Sequence, residues 1–99
     1  MTEENMESYL ILRELDEPIS RDGLEAAAEK SGETLAELRE EGVAIRWVES
    51  EVLTTEADRI VGTFCHYRAE DEDAVYEHAE RADLPATKVT KRGESLSGE

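Results

Sequence analysis

The chain has 99 residues, with 26 Asp or Glu against 11 Lys or Arg, and a net charge of −15 at pH 7. This length makes one domain with a modest core, and a surface this negative repels phosphate backbones and anionic lipid. Nucleic-acid binding is therefore not expected, and no apolar run of about 18 residues is present to span a membrane.

The opening "MTEENMES" is acidic and polar, without the basic start and apolar core of a signal peptide, which points to the cytoplasm. The single cysteine, Cys65, cannot form an internal disulfide and agrees with a reducing compartment. The charge itself reads as a halophilic surface suited to a salty cytoplasm. Salt shortens the reach of self-repulsion to about 3 Å at 1 M.

Residues 1–6 read as a flexible acidic N-terminus, 7–92 as the domain and 93–99 as a disordered polar tail. "SYLILREL", Ser8 to Leu15, is a short apolar run bounded by charge and predicts a strand. "DEPI" reads as a turn, because Pro18 excludes helix there. Ser20 fits an N-cap, and Leu24, Ala27, Ala28, Leu35 and Leu38 recur at helical spacing. That spacing predicts a helix from Ser20 to about Glu41, with Gly32 as a place to kink or split it and Gly42 as its stop. "VAIRWVESEVLT" from Val43 and "RIVGTFCHYRA" from Arg59 read as a strand hairpin around "TEAD". Asp71 caps a second helix with Ala74, Val75, His78, Ala79 and Ala82 as its stripe, ending before Pro85. "PATKVTKR" is a last short strand.

The order β-α-β-β-α-β is the ferredoxin-like α+β arrangement: a four-stranded antiparallel sheet with both helices on one face. Alternation puts Leu10 and Leu12 on one side of the first strand, and Tyr9 and Ile11 on the other. In the second, Val43, Ile45 and Trp47 stand against Ala44, Val48 and Val52; in the third, Phe64 and His66 stand against Val61, Cys65 and Tyr67. Neither side is a plain solvent face. The expected cover for the open side is a second copy, a C2 homodimer of the dimeric α+β barrel type.

"FCHY", Phe64 to Tyr67, sets a cysteine and a histidine side by side. On a strand these neighbours face opposite ways and cannot share an ion unless a bulge intervenes. Cys65 reads as a small buried hydrophobe, or else as a ligand or reactive thiol. His66 reads as an imidazole bonded to backbone or carboxylate, and His78 as a half-buried histidine on the helix margin; both are also ligand candidates. No His-x-x-x-His chelate, zinc finger, EF-hand loop, GxGxxG, Walker loop or nucleophile elbow is present. Nothing in the sequence assigns a reaction.

"YLILREL", "EGVAIRWVES" and "TFCHYRAEDEDAVYEHAERADLPATKV" together resemble a small prokaryotic ferredoxin-like family, catalogued as a domain of unknown function, that includes nickel-binding members. The likeness runs from about Ser8 to Thr90. Its most specific pieces are Gly42-Val43 with Trp47, the Cys65-x-Tyr67 strand, and His78-Ala79 through Leu84-Pro85. The resemblance implies a ferredoxin-like dimer and Ni(II) binding, and matches best at Cys65 and His78. Arg68 stands where relatives more often have a carboxylate, and Glu70 where proline is common. The expected role is binding a divalent transition metal, nickel first, through His78, Cys65 and His66, completed by carboxylates or the dimer mate. The alternatives are a small-molecule-binding or catalytic α+β barrel and a non-catalytic interaction module.

Overall fold

The computed structural model describes residues 6–94 and 96–98. The expected flexible segment over 1–6 lies outside these residues except at Met6, and the expected disordered tail lies outside them at 95 and 99. The elements are β1 (Glu7–Ile19), α1 (Arg21–Glu40), β2 (Ile45–Thr54), β3 (Ile60–Ala69), α2 (Glu72–Arg81) and β4 (Lys88–Lys91). All pairings are antiparallel, in the sheet order β2-β3-β1-β4. This is the ferredoxin-like α+β fold read from the sequence. Among the described residues no helix is long and apolar enough to cross a membrane.

One face of the sheet holds the core. Tyr9 and Ile11 of β1, Ile45 of β2, and Cys65, Tyr67 and Ala69 of β3 cluster with Leu35 and Leu38 of α1 and Ala74 and Val75 of α2. Side chains from both helices thus meet the inward residues of three strands, and both helices lie on that one face. The other face presents Leu10, Leu12, Phe64 and His66 without a second layer, and Phe64 is 41% exposed.

The helix ends follow from their caps. Ser20 Oγ accepts from the Gly23 backbone N–H at 3.2 Å, and Asp71 Oδ1 from that of Ala74 at 2.8 Å. Both helices close in the same hydrogen-bonded pattern at their C-termini. Val43 N–H donates to Leu38 O at 2.9 Å and Gly42 N–H to Arg39 O at 3.1 Å; Leu84 and Asp83 do the same to Ala79 and Glu80. The residue at the reversal has positive φ, 93° at Gly42 and 56° at Asp83. Glycine suits the first position; aspartate holds the second at some steric cost.

Three local expectations are corrected. "DEPI" is not a turn: β1 runs through Pro18 to Ile19, with its register to β3 broken between Glu14 and Ile19. A strand accommodates proline where ladder bonding is interrupted. Gly32 does not split α1, which is continuous over 20 residues. The stripe of Ser31, Thr34, Leu35 and Leu38 anchors the helix on both sides of Gly32. In β2, which starts at Ile45 rather than Val43, Val52 does not share a face with Val48. Trp47 pairs with Tyr67 and Glu49 with His66, so Val48 is one extra residue, a bulge. Beyond it the alternation reverses: Glu49 and Glu51 join the bare face, while Ser50 and Val52 turn to the helix side, opposite Cys65 and Thr63.

Two glycines predict opposite outcomes. A Cβ at Gly32 meets nothing within 4 Å, so Gly32→Ala should stabilise the fold by about 0.5–1 kcal/mol through lower unfolded-chain entropy. A Cβ at Gly62 runs into the Arg13 carbonyl oxygen, so Gly62→Ala should destabilise it. The urea midpoint at fixed salt reads both.

Candidate functional site

The helix side of the sheet carries a line of buried polar groups. The alternation Tyr9, Ile11, Arg13 sends the guanidinium inward with its two apolar neighbours, and Arg13 is only 4% exposed. Its Nη1 donates to the Pro85 carbonyl at 2.8 Å, and the guanidinium lies 5.7 Å from the centroid of the Tyr67 ring. Nη2 is buried and has no hydrogen-bond partner among the described residues. Tyr67 reaches from β3 toward α1, with its hydroxyl 3.4 Å from Ser31 Oγ. Burial pushes the Tyr67 phenol up; the Ser31 hydrogen bond, then the Arg13 charge, pull it back, Cys65 adds a small upward push, and a weak Arg13 contact to the phenol oxygen adds to the pull.

His78, on the inner stripe of α2, is fully buried, with its ring 5.2 Å from that of Tyr67. It is not the half-buried margin residue the sequence suggested. Its Nε2 is 3.0 Å from Ser31 Oγ and 3.3 Å from Ser31 O. A carbonyl only accepts, so the geometry assigns the proton to Nε2, which donates toward both oxygens. Nδ1 is left as a buried acceptor without a partner among the described residues. Burial first, then the Arg13 charge, lowers the His78 pKa from 6.5 to about 4, against a small opposing pull from the Ser31 carbonyl. His78 is thus neutral at pH 7.

Cys65 stands on this side too, 4% exposed, with Sγ 3.3 Å from Thr63 Oγ1. A cavity of about 190 Å³ opens between α1 and the sheet beside Cys65, Tyr67, Ser31 and Arg13. Trp47, 44% exposed, stands at its edge, with its indole N–H donating to Ser50 Oγ at 2.8 Å.

His66 faces the other way. It is the register partner of Leu10 on β1 and Glu49 on β2. Its Nε2 is buried without a hydrogen-bond partner among the described residues. Burial lowers its pKa, and so do Arg92, Arg68 and Arg46, while Glu49 raises it. The structure therefore brings Cys65 and His78 to one side of the sheet and His66 to the other. Among the described residues no three His, Cys, Asp or Glu side chains stand together in a position to hold a metal.

The fold, with Tyr67 and His78 packed ring to ring on its helix side, is joined by a direct match of sequence. Residues 9–91 match the family described as nickel responsive protein SCO4226-like. The chain belongs to the SCO4226-like nickel responsive protein family. No curated protein matches it. The family span, from Tyr9 to Lys91, takes in both helices, β2, β3, β4 and all of β1 but its first two residues.

Three residues that shape both faces of this SCO4226-like protein escaped the sequence reading. Arg13 was visible in principle, since it shares parity with Tyr9 and Ile11. Ser31 carried no signal beyond its place on the inner stripe of α1. Glu49 was masked by the Val48 bulge, without which it would share the side of Ile45 and Trp47.

The neutral His78 sets a pH dependence. Its unfolded-state imidazole protonates near 6.5 and its folded one only near 4. This contribution to stability is complete above about pH 7, falls as pH drops from 6.5 to 4, and amounts to about 3 kcal/mol. His78→Gln, which keeps an N–H for Ser31 and carries no titratable ring, should lose less stability than the wild type over that window. Urea unfolding at stepped pH checks it, with the surface carboxylates common to both proteins.

Proposed function

We propose that this chain binds a divalent transition ion, nickel first, on the bare face of its sheet, where two copies meet. The observation that supports this is His66. Its Nε2 is a buried imidazole nitrogen without a protein partner among the described residues, on the face that no helix covers. A ligating imidazole must be neutral, and burial together with the neighbouring arginines favours that form. Glu49 sits opposite it in the β2–β3 ladder, so imidazole and carboxylate are neighbours. Ni(II) accepts that combination of nitrogen and oxygen donors.

Two donors per chain are too few, and a two-fold copy doubles them to four. The bare face suits a copy of itself. Leu10, Leu12 and Phe64 supply apolar area, and the same face carries both signs of charge, Glu49 and Glu51 with Arg46 and Arg68. In an isologous pairing such a patch of mixed sign can meet its own complement. The arginines oppose a cation and the glutamates offset them. On the helix side, by contrast, Arg13 places a cation beside His78 and Tyr67. That charge disfavours a metal between Cys65 and His78.

Calorimetry with Ni(II) and metal analysis of untagged protein in molar salt test the reading, with light scattering for the assembly. The expected result is a dimer taking one nickel per pair of chains, with binding lost in His66→Ala and weakened at least about tenfold in Glu49→Gln. Cys65→Ser should leave it unchanged. Nickel uptake that survives His66→Ala, or that a monomer shows, contradicts the shared site.

A further inference from the structure

We propose that the cavity between α1 and the sheet binds a small carboxylate with an apolar body, and that Arg13 holds the carboxylate. The cavity is on the opposite side of the sheet from His66, so this stands apart from the metal reading. Its volume of about 190 Å³ is below the roughly 300–1,000 Å³ of pockets for drug-sized ligands. It has room for a monocyclic aromatic or short branched acid and none for a nucleotide.

Arg13 carries the inference. Arg13 is 4% exposed and lines the cavity, and apart from the Tyr67 phenol beside it its Nη2 makes no hydrogen bond among the described residues. The chain has 26 Asp and Glu residues, yet Arg13 forms no ion pair among the described residues, unlike Arg81 with Glu41 and Glu77 or Lys91 with Glu7. A buried charge is costly unless it meets an opposite one. The planar guanidinium fork matches a carboxylate better than any neutral group. Beside it the Ser31–Tyr67 hydroxyl pair, which shares one hydrogen bond, leaves one O–H as a further donor, and the remaining wall is mostly apolar apart from Ser50 and Thr63, with Ala27 and Ala28 of α1 leaving the space and Trp47 at the edge. The guanidinium therefore selects the sign of the ligand, and the wall selects its apolar body.

Trp47 is the only tryptophan, so its fluorescence reports on the cavity edge in the full chain. Benzoate, benzamide and acetate are titrated separately at fixed high ionic strength with a chelator present. Benzoate should give a saturable change, with benzamide and acetate each at least about tenfold weaker. Arg13→Met should weaken benzoate binding by at least about tenfold, and Ala28→Phe, which fills the cavity and leaves Arg13 in place, should abolish it. Circular dichroism checks that each variant folds. If Arg13→Met does not, the benzamide arm and Ala28→Phe decide. Equal binding of benzamide, equal binding of acetate, benzoate binding unchanged in either folded variant, or no saturable change overturns the proposal. The chelator keeps this outcome separate from that of the nickel experiment.

Discussion

The bulge at Val48 decides which side chains of β2 face which side of the sheet. Before it, Ile45 and Trp47 point to the helices; after it, Ser50 and Val52 do, and Glu49 and Glu51 are sent to the bare face. A single extra residue thus gives the cavity part of its wall and gives His66 a carboxylate neighbour. A regular strand would have placed Glu49 on the helix side, level with the inward residues of β3, where desolvation would penalise its charge. The pleat of β3 does the complementary work, turning Cys65 and Tyr67 inward and His66 outward. The two sides of the sheet consequently hold different chemistry.

The helix side is organised around a buried cation and a neutral imidazole. Arg13 stands near the face of Tyr67, and its charge joins burial in holding His78 unprotonated. Ser31 links the two rings, accepting from His78 Nε2 and lying within hydrogen-bonding distance of the Tyr67 hydroxyl. These contacts tie α1, α2 and β3 together at one point, in a core whose other members are mostly small or aliphatic. At the periphery, Arg81 joins the ends of the two helices through both carboxylate oxygens of Glu41, at 2.6 and 2.9 Å. That clasp is exposed and screened by salt, so it fixes geometry more than it adds stability.

Much of this was legible in the sequence. Ser20 and Asp71 announced the caps, Gly42 the end of α1 and Leu84-Pro85 the end of α2, because those residues act on the backbone within one turn of their own position. The pleat of β3 alone sets Cys65 and His66 on opposite sides. What stayed hidden depends on partners distant in sequence. The Val48 bulge is set by pairing with β3, so the parity of Glu49 and Val52 could not be read from β2 alone. The burial of His78 needs Ser31, 47 positions away, to receive its N–H. Pro18 looked like a turn because the sequence cannot show that the β1 ladder is already interrupted there.

The central claim is that the sheet separates the two imidazoles, His66 on the bare face, where we propose the partner copy and the metal, and His78 sealed in the core. The chain has only these two histidines, so imidazole nitrogen-15 spectra hold two sets of signals. They are recorded in molar salt during addition of Ni(II). The account predicts that the His66 signals shift or broaden away, while those of His78 stay in place as the neutral Nε2–H form. Loss of the His78 signals with those of His66 untouched would contradict it and move the chemistry to the helix side of the sheet.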